Sequence, residues 1–187
     1  MYFYCTTMIY FNLLGKYGGF GNQLFQYAAA YTQAKRLNTQ VAVPHHQSYY
    51  HADYQMMSHF VVDYIKMPIV CVDKTLQKHD WTQSGISDYD ESIHTITDDT
   101  NLMGYFQSEK YFLPVRSEII SLYKNHIFKD AVSNFFQSNN LNSESVTGIH
   151  IRRNDYLKKQ NFHPVQSLEY YETSINICNT SNYLIVT

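Results

Sequence analysis

The segment His150-Ile-Arg-Arg-Asn-Asp-Tyr156 holds the residue types best suited to chemistry in this chain, and it follows a short β-branched run from Val146. The pattern predicts a strand whose C-terminal end presents an imidazole, two guanidiniums, a carboxylate and a phenol at a sheet edge. Open α/β sheets bind their ligands at that edge. Because burying an unpaired guanidinium is costly, Arg152 and Arg153 need an anionic partner, either a ligand or a structural carboxylate.

Two interpretations of this strand end stay open. An arginine fork suits phosphate or carboxylate, whereas Asp155 and His150 have groups that fix the fork, hold a hydroxyl or move a proton. The alternative is an internal ion pair in which Arg153 and Asp155 satisfy each other. The spacing alone favours neither.

A second candidate site is the glycine-rich turn Gly15-Lys-Tyr-Gly-Gly-Phe-Gly21. It lacks the third small residue of a dinucleotide fingerprint and the Gly-Lys-Ser/Thr ending of a P-loop. A tight turn that feeds a helix N-terminus favours an anion or a sugar hydroxyl. The alternative is that the glycines only let helix and strand pack closely.

The elements around this turn form a predicted βαβ unit, the opening of a Rossmann-like α/β domain. The apolar run 8–14 predicts the first strand, and residues 22–37 predict a helix. Asn22 is its expected N-cap, and Asn38 is expected to end it in a left-handed conformation. Residues 41–43, stopped by Pro44, predict the second strand.

Later segments predict more helices and a second βαβ unit. Pro114 is expected to open a helix with one apolar face, and a short helix after Asp130 is expected to turn apolar residues inward. A polar linker then precedes strand 146–151, a helix from Ser167 and strand 183–186. We therefore predict an N-terminal Rossmann-like domain over residues 1–143 and a second one starting within 144–187. The side chains expected to face inward are Val132, Phe135 and Phe136, and two further helices are expected to carry one apolar face each, formed by Val115, Ile119 and Leu122 and by Leu168, Tyr171 and Ile175.

Composition excludes some partners. The 187 residues have a net charge of −2 and no long Lys/Arg run, so nucleic acid is not an expected partner. Three cysteines without a metal-ligand spacing fit a reducing cytoplasm. The apolar start, residues 1–14, is shorter than a bilayer span and carries no basic residues, so no transmembrane segment is expected. A cytoplasmic location is predicted, with peripheral association with a membrane as the alternative.

No metal site is predicted. Asp88-Tyr-Asp90 matches the Asp-x-Asp carboxylates that hold a divalent ion in one class of glycosyltransferase, but its polar surroundings favour a turn. His45, His46, His51 and His59 lack a ligand spacing backed by cysteines or carboxylates, and we interpret them as surface residues.

Three stretches together resemble the α-1,2-fucosyltransferases of glycosyltransferase family 11. Gly18-Gly-Phe-Gly-Asn-Gln-Leu-Phe-Gln-Tyr-Ala28 resembles the N-terminal segment of the family. Gly104-Tyr-Phe-Gln-Ser-Glu-Lys-Tyr-Phe112 resembles its middle segment, and His150-Ile-Arg-Arg-Asn-Asp-Tyr156 resembles its His-x-Arg-Arg-Gly-Asp-Tyr signature, with Asn154 in place of the glycine. The order of the three is that of the family.

The resemblance implies a GT-B-like fold of two Rossmann-like domains and no metal or other cofactor. It also implies inverting transfer of L-fucose from the donor GDP-L-fucose to the 2-hydroxyl of a galactose-terminated glycan acceptor. Arg152 would neutralise charge on the departing GDP, and Asp155 is the candidate base. The expected donor-binding residues are Gly19, Gly21, Asn22, Gln23, His150, Arg152, Arg153 and Tyr156.

The resemblance also sets an expectation about length. Family members continue through a strand into a Ser-Asp-Asp-like segment, whereas this sequence ends at Thr187. We therefore expect the second domain to be C-terminally truncated and incomplete. The alternatives to an active transferase are a non-catalytic glycan- or nucleotide-binding remnant, an enzyme for another nucleotide sugar or phosphorylated substrate, and a purely structural chain.

Overall fold

The computed structural model describes residues 7–14, 18–44, 50–51, 56–57, 67–72, 76–124, 126–153, 156–158, 160–161, 163–178 and 180–187. The chain divides into two compact units, Met1–Asn125 and His126–Thr187. The predicted domain boundary between residues 143 and 144 stays a prediction, because a compact unit is not by itself an independently folding domain.

The first strand, β1 (Met8–Tyr10), is shorter than the predicted strand 8–14. The chain turns directly after it, and the Leu14 amide donates to the Phe11 carbonyl at 3.3 Å. This turn buries both Phe11 and Leu14 in the core. The prediction was therefore wrong beyond Tyr10, since apolar residues in a buried turn look like strand residues in the sequence.

Helix α1 (Phe20–Arg36) follows the glycine turn and packs against β1. Its N-cap is Gly19, so the predicted N-cap at Asn22 was wrong. Asn38 has φ 53° directly after the helix, as predicted. Small buried side chains at Ala28, Ala29 and Ala30 allow the helix to approach its neighbours closely.

The next strands are β2 (Gln40–Pro44), a separate antiparallel pair β3 (Tyr50–His51) and β4 (Met56–Met57), then β5 (Ile69–Val72), β6 (His79–Thr82) and β7 (Thr100–Met103). The described residues form a five-stranded parallel sheet in the order β5-β2-β1-β7-β6. The chain runs outward from β1 through β2 to β5, continues at the opposite edge with β6 and returns inward to β7, which pairs with β1. The neighbouring strands β1 and β7 of this Rossmann-like α/β arrangement both end at its carboxyl edge, where ligands bind in such sheets.

Helix α2 (Arg116–Tyr123) follows a single 3-10 turn that contains Pro114. Val115 and Ile119 are buried, and Leu122 packs against the core, as the predicted apolar face requires. This face fixes the helix onto the first unit.

The second unit contains α3 (His126–Ser138), β8 (Val146–His150), α4 (Leu168–Cys178) and β9 (Asn182–Val186). The two strands pair in parallel along their full lengths with α4 between them in sequence, which confirms the predicted βαβ unit. Some predicted inward positions were wrong. The exposed fractions are 55% for Val132 and 44% for Phe135, which were expected to face inward.

No residue in the described part of the second unit is fully buried, so these apolar side chains have no closed core to pack against.

None of the described helices is both long and apolar enough to span a lipid bilayer.

Candidate active site

The glycine turn and the segment after β7 meet at the carboxyl edge of the parallel sheet. Gly18 has φ 79°, and a side chain there would collide with the side chain of Asn22. Gly19 and Gly21 are exposed and have no atom within 4 Å of a hypothetical Cβ. A side chain has no room at Gly18 but has room at Gly19 and Gly21. The start of α1 is therefore accessible to a ligand.

Two hydrogen bonds join α1 to the segment after β7. The Gln107 amide Nε2 donates to Asn22 Oδ1 at 2.7 Å, and Gln26 Nε2 donates to the Gly104 carbonyl at 3.2 Å. The first two family-like stretches are therefore one structural unit in the fold. Asn22 is the third residue of α1 and not its N-cap, since the helix begins at Phe20, and its side-chain oxygen is used in this junction.

Gln83, at the end of β6, organises the same edge and was not predicted. Its Oε1 accepts from the amides of Tyr105 and Phe106 at 3.0 and 2.9 Å. Its Nε2 donates to the Asp88 carbonyl at 3.0 Å. These bonds hold Phe106 at φ 56°, where a non-glycine residue needs outside support.

A cleft of about 330 Å³ opens beside this edge. It lies between the residues after β6 and those after β7, and its wall includes Ser84, Ile86 and Tyr105. An aromatic ring, a hydroxyl and backbone groups are the features that bind sugars or other polar small molecules.

Gln23 is the predicted donor-binding residue of this unit that lies furthest from solvent. Its side chain has an exposed fraction of 0%, whereas Asn22 is half-buried. The direct contact predicted between Gln23 and the donor stays a prediction.

In the second unit, the end of β8 carries an aromatic stack that holds Arg152. The guanidinium carbon of Arg152 lies 4.6 Å from the centre of the Tyr156 ring. The His163 ring stacks on Tyr156 at 4.4 Å with an interplanar angle of 11°. This geometry orients one of the two predicted guanidiniums, and His163 was missed in the sequence.

The other predicted residues of this strand end are exposed. His150 and Arg153 have exposed side chains, while the Arg153 carbonyl accepts from the Leu157 amide at 2.7 Å. Among the described residues no carboxylate forms an ion pair with Arg153. Asn154 and Asp155 lie outside the described residues, so both the base role of Asp155 and its pairing with Arg153 stay predictions.

Asp88-Tyr-Asp90 forms a polar turn, as predicted. Asp90 Oδ1 accepts from the Ser92 amide at 3.0 Å and Asp90 Oδ2 accepts from the Ser84 amide at 3.1 Å. Hydrogen bonds from Ser92 and Ser84 lower the pKa of Asp90. The carboxylate is thus occupied in a cap on the 3-10 turn Glu91–Thr95.

Within the part of the chain that the structure describes, no three His, Cys, Asp or Glu side chains form a possible metal site. His45, His46 and His59 lie outside that part. Cys71 and Cys178 are free thiols on the surface.

Comparison with known proteins places nearly the whole chain in one family. Residues 6–187 match the family model described as Glycosyl transferase family 11. No curated protein and no solved structure matches the chain. The family match covers all three stretches that resembled fucosyltransferases in the sequence.

Proposed function

This chain belongs to glycosyl transferase family 11, a family of fucosyltransferases, and we propose that it transfers L-fucose from GDP-β-L-fucose to the 2-hydroxyl of a galactose-type glycan acceptor. The observation that carries the proposal is the junction of the first two family-like stretches at the carboxyl edge of the parallel sheet, beside the neighbouring strands β1 and β7. Open α/β sheets bind nucleotides and their substrates at that edge.

The proposed reaction is a single displacement with inversion. The acceptor 2-hydroxyl oxygen attacks C1 of fucose from the face opposite to GDP, and the bond between C1 and the phosphate oxygen breaks. The electron pair leaves with GDP, and the hydroxyl proton goes to a base, for which Asp155 is the candidate. This route needs a group that stabilises the negative charge on the leaving diphosphate.

Arg152 is the proposed group for that charge. A guanidinium presents two parallel N–H donors to phosphate oxygens, and its charge persists at all working pH values. Its position over the Tyr156 ring restricts the directions in which the fork points. His150, Arg153 and Tyr156 are proposed to complete the donor contacts. No metal or other cofactor is required in this scheme.

The glycine turn is proposed to receive the sugar and diphosphate side of the donor. The exposed backbone at Gly19 and Gly21 lies at the start of α1, where free amides and the helix dipole favour negative charge. Asn22 would offer the part of its amide that does not bond Gln107. The GT-B arrangement, with this unit facing a donor-binding domain, belongs to the same proposal.

The proposal is tested by GDP release from GDP-fucose with and without a β-galactoside. We expect acceptor-dependent release, and Arg152→Ala should lower kcat/KM by about 100-fold, the usual cost of removing one transition-state donor. Arg152→Lys keeps the charge without the fork and should fall between the two. GDP binding without release of GDP from GDP-fucose would favour the non-catalytic remnant, and stabilisation by UDP-sugars alone would favour another nucleotide-sugar enzyme.

A further inference from the structure

The Tyr156 ring contacts both Arg152 and His163. The guanidinium carbon lies 4.6 Å from the ring centre, and the imidazole centre lies 4.4 Å from it, nearly parallel to the ring. The phenol ring is therefore the contact that Arg152 and His163 share, and the three side chains form one stack.

The backbone restricts the positions of two members of this stack, Tyr156 and His163. Tyr156 opens the 3-10 turn Tyr156–Lys158, which is tied to the strand end by the bond from the Leu157 amide to the Arg153 carbonyl. His163 precedes Pro164, and a residue before proline is restricted to extended conformations. The imidazole is thus presented from a segment with little backbone freedom.

We propose that His163 is a positioning residue for donor binding, acting through the Tyr156 ring on the Arg152 guanidinium. This inference rests on the proposed function, in which Arg152 binds the diphosphate. The stacked imidazole restricts rotation of the half-buried ring about its χ angles, and the guanidinium lies over that ring. By holding the ring in one plane, the imidazole helps the guanidinium fork to keep one orientation.

The choice of residues fits this role. An arginine over a phenol ring is held by the negative charge of the ring face, an attraction that shifts an equilibrium by about 2- to 5-fold at an exposed site. Offset or parallel ring pairs add an effect of similar size. Each contact is weak alone, so removing the Tyr156 phenol or the His163 imidazole should loosen Arg152 without unfolding the unit.

The first arm of the test needs no donor. We would follow the Arg152 side chain by NMR relaxation of its Nε–H group in the full chain and in His163→Ala and His163→Phe. We expect a restrained guanidinium in the wild type, faster motion in His163→Ala, and wild-type restraint in His163→Phe, which keeps a flat ring. Equal motion in all three would overturn the positioning role, whatever the donor does.

The second arm measures GDP affinity by calorimetry and the KM for GDP-fucose. His163→Ala and Tyr156→Leu should weaken both by about 2- to 5-fold, with the acceptor KM unchanged, whereas His163→Phe should leave both at the wild-type values. Tyr170→Ala is the matched control, since this exposed ring of α4 stacks on neither Arg152 nor Tyr156 and should leave GDP affinity unchanged.

The two arms separate failure of this inference from failure of the proposed function. If Arg152 becomes more mobile in His163→Ala while neither that variant nor Arg152→Ala changes GDP affinity, His163 does restrain Arg152 but the donor role of Arg152 is wrong. If Arg152→Ala weakens GDP binding and His163→Ala does not, the donor role stands and the positioning role of His163 is overturned. An equal loss of GDP affinity in His163→Phe and His163→Ala would also overturn the positioning role, because stacking of a flat ring on Tyr156 would then not explain the effect.

Discussion

Among single residues, Gly104 is the one whose replacement has the clearest cost. It has φ 156°, and a Cβ there would lie 2.6 Å from Gln83 Oε1 and 2.7 Å from Gln83 Cβ. Gln83 cannot withdraw without losing the bonds that hold the residues after β7. We expect Gly104→Ala to lower the free energy of unfolding by about 2 kcal/mol or more, measured by urea denaturation.

Gly21→Ala is the control for this prediction. No atom lies within 4 Å of a Cβ at Gly21, and the residue is in the first turn of α1. Replacement there should be neutral or should stabilise by up to about 1 kcal/mol. Equal destabilisation by the two variants would mean that Gly104 is not held against Gln83 as described.

Asp99 gives a residue-level prediction about pH. Burial alone would raise the pKa of its carboxyl, but hydrogen bonds from Lys78 at 2.7 Å and from the Met8 amide at 3.1 Å outweigh it, so the pKa is lowered. A carboxyl with a lowered pKa stabilises the fold above its unfolded value of about 3.9 and loses that contribution as the pH falls through the folded value.

Asp99→Asn should therefore be less stable than the wild type at neutral pH and should lose less stability on going below about pH 4. Asn also tolerates the positive φ of 60° at this position, so the backbone should not change. Urea midpoints measured at a series of pH values test this. Parallel pH curves for the two proteins would show that Asp99 is not the group responsible.

The sequence predicted those residues whose role is local. Asn38 ends its helix in a left-handed conformation because the helix pattern and the residue type together indicate it. Gln83 and His163 were missed because their partners lie on other segments, and an amide or an imidazole leaves no periodic signal. A polar residue that follows a strand and precedes a polar turn with a glycine, as Gln83 does before Ser84 and Gly85, is the one hint available.

At the scale of elements, the junction of α1 with the segment after β7 is the main structural link of the candidate site. Asn22 and Gln107 are 85 positions apart in sequence and share one hydrogen bond of 2.7 Å. A double-mutant cycle with Asn22→Ala and Gln107→Ala should give a coupling energy of about 1 kcal/mol in stability. Chemical denaturation of the four proteins measures it.

The matched cycle pairs Asn22→Ala with Gln40→Ala. Gln40 is exposed at the start of β2, at the other end of the strands from the glycine turn. These two changes should be additive within about 0.5 kcal/mol. Additivity in both cycles would contradict the junction.

Elements with strong periodic patterns were predicted well. Apolar spacing predicted the βαβ unit around the glycine turn, the α2 face around Ile119 and the later βαβ unit. The predicted limits of the elements were less accurate: β1 ends at Tyr10 and not at residue 14, and α3 begins at His126 and not after Asp130. The inward face predicted for α3 was wrong because burial depends on a partner surface that the helix sequence does not contain.

At the scale of the whole molecule, the two units differ in how much they bury. The first unit has a core of fully buried side chains around Ile9, Phe11 and Leu102, whereas no described residue of the second is fully buried. Amides in β1, β2 and β7 should therefore exchange hydrogen much more slowly than those in β8 and β9. Hydrogen exchange with mass spectrometry tests this, and equal protection of the two sheets would contradict it.

The fold class could be predicted at this scale because the apolar periodicity of the sequence indicates alternating strands and helices. The observed parallel sheet agrees with that prediction. The strand order that makes β1 and β7 neighbours could not be predicted, since it depends on long-range pairing such as Tyr10 with Asn101. That order is what gives the glycine turn and Gly104 a shared location.

The central claim is fucosyl transfer, and the most direct measurement is the structure of the product formed from GDP-fucose and a β-galactoside. NMR of the purified product should show fucose joined through an α linkage to the 2-hydroxyl of galactose, in an amount equal to the GDP released. Loss of this product in Arg152→Ala with an unchanged Tm would support the assigned role of that guanidinium. Release of GDP without any fucosylated product, or no reaction with a full set of galactosides, would contradict the account.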